Sequence, residues 1–286
     1  MTLHLNRLAQ KSNKYISTEI KFLPNSLEEP RYNEYVDDDH RHILKMSGHV
    51  PNTMSYRLNN YGFRGEDFIL GSDCDVAIGS SNTWGGGTHE EFIFPTLIAQ
   101  RTNRTVYNLG FPAGTSDGTF RYCEYWLPKL KPKNVYACWP SPARSELIVD
   151  HDGRKHIVHL AKSEAKWKKL LNKWPANGKW FTKWFTNMEN SYLNNLKNLY
   201  AVKYICEQIG ANLIVARPDV ITYDNLPEEL KILPTFNIQR GAWPISDIGR
   251  DFKHPGPVWH SMFADHILEN NDFDVIVKEL NEKTFK

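Results

Sequence analysis

No stretch of this chain approaches the ~20 consecutive apolar residues that a membrane-spanning helix requires, so insertion into a bilayer is not expected. Its opening residues, MTLHLNRLAQKSNKYIS, also lack an apolar run ending in a small-residue cleavage signal, and export by a leader peptide is not expected either. Cysteine is scarce. Cys74, Cys123, Cys138 and Cys206 stand far apart within apolar patterns, which argues against a disulfide framework or a thiolate metal site and reads as four buried free thiols in a reducing compartment. An excess of one charge is missing as well: 35 Lys and Arg face 33 Asp and Glu, and the net charge of +2 gives no electrostatic footprint for a nucleic acid. Internal repeats and low-complexity tracts are absent, which removes solenoids and disordered linkers from consideration.

What is present is material for a large core. With 41% of its 286 residues hydrophobic, the chain can form one large globular domain or two small ones. Residues 1–55 mix charges, Asn, Pro and Tyr without sustained period and read as an irregular amino-terminal extension, with a domain spanning 56–286. From Asp75 the pattern sharpens. DVAIG, TVYNLG, NVYACW and ANLIVA are short apolar runs, and helical patterns separate them: Phe94 to Arg101, Thr119 to Leu130, and a longer helix marked by Tyr192, Leu196, Leu199, Val202, Cys206 and Ile209 and stopped by Gly210. Strands alternating with helices predict an α/β fold, a three-layer α/β/α sandwich around a parallel sheet. Between the third and fourth runs lies an insertion at about 148–185. IVDHDGRKHIVH in it predicts a hairpin about Asp152 and Gly153, and a following Lys- and Trp-rich stretch reads as its own small core or as a wall of a substrate cleft. A helix from Pro257 to Glu269 and a charged amphipathic tail helix are expected to close the chain.

Three segments carry the residues for chemistry: GSSNTWG at 79–85, NLGFPAGTS at 108–116 and DFKH at 251–254. Each follows or lies near the carboxyl end of a predicted strand, the edge at which open parallel sheets bind ligands. Ser81 enters a glycine-containing turn, where a hydroxyl can be presented and neighbouring N–H groups can face an oxyanion. A serine hydroxyl is a weak nucleophile. It needs an imidazole as general base, and that imidazole needs an acceptor on its other nitrogen; Asp251 and His254, separated by two residues ahead of a Pro-initiated helix, can supply both. Ordinary alternatives are a turn at Ser81 and an Asp–His pair that caps the last helix. Asp37, Asp38, Asp39, His40 and His42 could face a cation, but such a run reads as a solvated loop, and neither a metal nor a cofactor is expected.

Taken together, these blocks resemble the SGNH, or GDSL, hydrolases, a flavodoxin-like family of esterases, lipases, thioesterases and carbohydrate deacetylases. The resemblance covers roughly residues 56–270 and includes the lead-in YRLNNYGFRGEDF. It implies Ser81 as nucleophile, His254 as base and Asp251 as its partner, with the backbone N–H groups of Ser81 and Gly114 forming the oxyanion hole. Ser80, Asn82, Trp84, Ser141 and Arg144 would then face the substrate, an ester-bearing small molecule or a glycan. Two positions depart from the family pattern: Ser80 stands where an Asp is usual, and CWPSPARSEL offers no Asn as third oxyanion donor. Loss of one such donor costs ~10²–10³ in rate. A second reading therefore stands beside the hydrolase: a catalytically silent module that binds a glycan or serves in a larger assembly through residues 1–55, cytoplasmic or virion-associated.

Overall fold

Apolar runs of four to six residues become strands here because helices bury them from both sides, the situation in which a strand need not alternate polar with apolar residues. The computed structural model describes residues 19–21, 55–142, 144–151, 154–161, 187–216, 249 and 254–269. Its central sheet contains β3 (Cys74–Gly79), β4 (Thr105–Asn108), β5 (Asn134–Cys138) and β8 (Asn212–Ala216), in the order β4–β3–β5–β8 and parallel throughout. Every residue of β3 is buried. On one face Val76, Ile78, Val135, Ala137, Leu213 and Val215 pack beneath α3 (Ser116–Leu130) and α4 (Met188–Ile209). On the other face Ala77, Tyr136, Cys138, Ile214 and Ala216 meet α2 (Phe94–Thr102) and α5 (Pro257–Glu269), with Trp259 and Phe263 stacked 4.8 Å apart. Each such buried aromatic contributes roughly 2–3 kcal/mol by removal from water. The predicted three-layer α/β architecture is thus the observed one, and α5 has the predicted bounds.

Side-chain contacts set the boundaries that periodicity misplaces. Helix α3 begins at Ser116 rather than Thr119, because the Thr115 hydroxyl accepts a hydrogen bond from the Gly118 N–H at 3.0 Å and caps the first turn. In the same way Asn187 caps α4, accepting from the Asn190 N–H at 3.0 Å, and Gly210 ends that helix with φ 72°. The hairpin comprises β6 (Arg144–His151) and β7 (Arg154–Ala161), starting at Arg144 rather than at 148. Glu146 explains the extension: its carboxylate takes two 3.0 Å bonds from Arg121 of α3, and its N–H donates to Asp117 at 3.1 Å. Strand β1 (Glu19–Lys21) lies within the segment read as irregular and pairs antiparallel with β2 (Ser55–Arg57); three residues are too few to display a period of two.

All four cysteines are free and buried. Among the described residues no helix is long and apolar enough to cross a membrane, and no cluster of His, Cys, Asp or Glu could hold a metal ion. The acidic run at 37–42, the Lys- and Trp-rich stretch after Ala161 and the expected tail helix lie outside the described residues.

Candidate active site at the carboxyl edge of the sheet

Strand β3 is flanked by β4 on one side and β5 on the other, so the chain leaves it in one direction and later returns in the other. In doubly wound sheets such a reversal marks the usual ligand position, beyond the carboxyl end of the strand where it occurs, here β3. Gly79 ends the strand with φ 147°, and a Cβ there would run into the Cys138 carbonyl and the Thr83 hydroxyl. Only glycine satisfies both constraints. Ser80 follows in extended conformation and makes no side-chain cap; Ser81 then opens the single turn α1 (Ser81–Trp84). Both serines are buried, whereas Asn82 and Trp84 are partly exposed.

The second segment interlocks with this turn through the Asn108 side-chain amide and the close approach of two glycines. Asn108, the last residue of β4, donates to the Thr83 carbonyl at 2.8 Å and accepts from the Gly110 N–H at 2.8 Å. Gly110 itself lies so close to the turn that a Cβ would stand 2.5 Å from the Trp84 nitrogen. Gly114 approaches in the same manner, its absent Cβ falling 2.8 Å from the Ser80 Cα. The Gly114 N–H donates to the Phe111 carbonyl at 3.2 Å, closing the turn that leads into α3.

His254 reaches the site through Gly86. The N–H groups of Gly85 and Gly86 both donate to the Ser81 carbonyl, at 2.8 and 3.0 Å. A Cβ on Gly86 would lie 2.8 Å from Nδ1, 3.0 Å from Cε1 and 3.1 Å from Cγ of His254, so the imidazole rests directly on this glycine. Gly86 thus touches the His254 ring on one side and bonds the Ser81 backbone carbonyl through its N–H. Two further bonds seat the His254 segment: the Thr88 hydroxyl donates to the Pro255 carbonyl at 3.0 Å, and the Gly249 N–H donates to the His254 carbonyl at 2.8 Å. Asp251 lies outside the described residues.

The other histidine of this region has a different environment. His260 is fully buried, and its Nδ1 accepts from the Phe94 N–H at 3.3 Å, which places the proton of the neutral ring on Nε2. Burial, followed by the charges of Arg64 and His254, pushes its pKa down to about 3. A ring held neutral in the core cannot exchange protons with a substrate at neutral pH.

In the CWPSPARSEL loop, Ser141 is half-buried and its carbonyl accepts from the Arg144 N–H at 3.3 Å. An amide does reach this loop from α4, but Asn195 accepts from the Trp139 indole at 2.8 Å and donates to the Pro140 carbonyl at 3.0 Å. It holds the loop in place.

Two residues of the lead-in YRLNNYGFRGEDF, to which the sequence assigns no role, reach this edge. Arg64 is completely buried, and its guanidinium donates to the carbonyls of Trp84 (2.9 Å), Gly85 (2.5 Å) and Thr88 (2.7 Å). It lies over the Tyr56 ring at 4.7 Å, and the Tyr56 hydroxyl accepts from the Gly87 N–H at 2.8 Å. Burial pushes the Arg64 pKa down to about 10, which leaves it cationic at neutral pH. The run of three glycines after Trp84 was the available clue, since consecutive glycines permit backbone approach from several sides.

No family model matches the chain, and no curated protein matches it in sequence. Among solved structures it is similar to a protein from Desulfitobacterium hafniense DCB-2 ascribed to the G-D-S-L family of lipolytic proteins. The identity is 13%, the TM-score 0.41, and the match covers 68% of this chain and 97% of that one.

Proposed function

We propose that this protein is a serine hydrolase of the SGNH type that cleaves an ester or O-acetyl group carried on a carbohydrate or a lipid. One observation carries the reading: the His254 imidazole rests on Gly86, whose N–H is bonded to the Ser81 carbonyl, beyond the carboxyl end of β3. In the proposed reaction the Ser81 oxygen attacks the carbonyl carbon while His254 accepts its proton. Asp251 orients the imidazole and stabilises its cation. The N–H groups of Ser81 and Gly114 hold the oxyanion, which competes with the Phe111 carbonyl for the Gly114 donor. His254 then protonates the leaving oxygen as the C–O bond breaks, and water releases the acyl group by the same steps in reverse. No cofactor takes part. Asn82 and Trp84, partly exposed beside Ser81, would bound the acyl or alcohol side, with Ser80, Ser141 and Arg144 as further substrate contacts.

The test is covalent. A fluorophosphonate should label the wild-type chain on the Ser81 peptide and leave Ser81→Ala unlabelled, with hydrolysis of p-nitrophenyl acetate falling by up to ~10⁶ in that variant. An unlabelled wild type would sink the hydrolase reading. The second reading, a silent module that binds a glycan or an assembly partner, is favoured by the engaged Asn195 amide and the absence of an Asn side chain in CWPSPARSEL. It predicts glycan binding that Ser81→Ala leaves unchanged in a chain without ester turnover.

A further inference from the structure

We infer that Arg64 is a positioning residue for the general base, holding the Gly85–Thr88 turn in the one shape that seats the His254 ring on Gly86; this rests on the hydrolase reading of the site. The turn is pinned at both ends by a single group. One guanidinium nitrogen bonds the carbonyls of Trp84 and Gly85, the other that of Thr88, and the Thr88 N–H returns to the Gly85 carbonyl at 3.2 Å. A planar fork with fixed angles does this; a lysine ammonium, a point donor on a flexible stem, cannot span the same three acceptors.

What the turn touches gives the pinning its consequence. Its inner side meets Ser81 through the Gly85 and Gly86 N–H groups, and its outer side carries the His254 ring on Gly86 and the Pro255 carbonyl on the Thr88 hydroxyl. A shift of the turn therefore moves the base relative to the nucleophile while leaving β3 in place. Arg64 is also costly to keep. It is 1% exposed, makes no carboxylate contact among its hydrogen bonds, and its Nε has no partner among the described residues. A purely packing role at this position would be served by an apolar side chain between Tyr56 and Trp84, without the desolvation cost of a cation.

The variants are Arg64→Lys and Thr88→Val, the second removing only the link from the turn to the His254 segment. Two measurements are made on folded protein, with the folded fraction checked by near-ultraviolet circular dichroism. The rate of fluorophosphonate labelling is expected to fall about 10- to 100-fold in Arg64→Lys and about 3- to 10-fold in Thr88→Val, with KM for p-nitrophenyl acetate unchanged. The His254 Cε1–H resonance, assigned by its loss in His254→Gln, is expected to shift or broaden in both. Wild-type labelling with equal rates in the variants overturns the inference, and so does an unmoved His254 resonance in both. If the wild type is not labelled, the hydrolase reading falls, and the resonance alone decides whether Arg64 governs the placement of His254.

Discussion

At the amino-terminal edge of the sheet, Asp75 is fully buried and accepts hydrogen bonds from the Arg104 guanidinium and the Asn134 N–H at 3.0 Å, from the Asn134 amide at 3.2 Å and from the Tyr136 hydroxyl at 3.3 Å. Arg104 continues to Asp73 at 2.6 Å and holds that carboxyl below its ordinary range. The carboxyl edge of the same sheet is assembled from backbone. Gly79, Gly86, Gly110 and Gly114 let loops approach to distances that any side chain would forbid, and the buried Arg64 bonds carbonyls instead of a carboxylate. The first edge closes its polar groups on one another, as a structural clamp does. At the second, Arg64 Nε and His260 Nε2 are left without partners among the described residues, and the His254 ring rests on a glycine whose N–H bonds the Ser81 carbonyl.

Substitutions at the two edges should separate stability from chemistry. Asp75→Asn should cost about 3 kcal/mol of unfolding free energy, because it breaks a buried charged network, while fluorophosphonate labelling per folded molecule stays unchanged; denaturant unfolding beside labelling reads both. Gly86→Ala should do the opposite. Gly86 lies outside the left-handed region, and the nearest obstacle to a methyl group is the His254 ring 2.8 Å away. Displacing that ring should slow labelling about 10²-fold with a stability change under ~1 kcal/mol.

The edges should also differ in their response to pH. His260 titrates near 3 in the fold and near 6.5 when unfolded, so its contribution is complete above pH 6.5 and is lost as the pH falls toward 3. The slope is at most ~1.4 kcal/mol per pH unit. His260→Asn, which keeps an acceptor for the Phe94 N–H, should flatten that slope in unfolding measured between pH 4 and 7. Tyr136 behaves in reverse: burial and then Asp75 push its phenol up to about 12, so stability held below pH 10 is lost between about 10 and 12. Tyr136→Phe should remove this alkaline loss and cost only ~0.5–1 kcal/mol at neutral pH, consistent with a long hydrogen bond.

Much of the fold was legible because burial on both faces of a sheet writes unmixed apolar runs, and a helix on its face writes a three-to-four-residue period. Val76, Ile78, Leu199 and Val202 are read correctly on that basis. The start of α3 was not, because Thr115 caps it through a side chain that looks like any loop threonine. Nor was the start of β6, which Glu146 fixes through Arg121 on a distant helix. Within the site, Ser81, Gly114 and His254 stand in ordered segments that spacing brings to one edge. The burial of Arg64 is not legible in the lead-in that contains it, since it depends on carbonyls 20 to 24 residues further along the chain.

By itself, then, the sequence determined the layers, the order of the strands along the chain and the edge at which Ser81 and His254 would emerge, because these follow from local periodicity and from where each strand ends. The tertiary structure decided how those residues meet. Gly86 matters only because an imidazole from a segment far along the chain lies on it, and Arg64 matters only because three carbonyls converge on its fork. Contacts of that kind depend on the simultaneous placement of several backbones, which no local pattern of residues encodes.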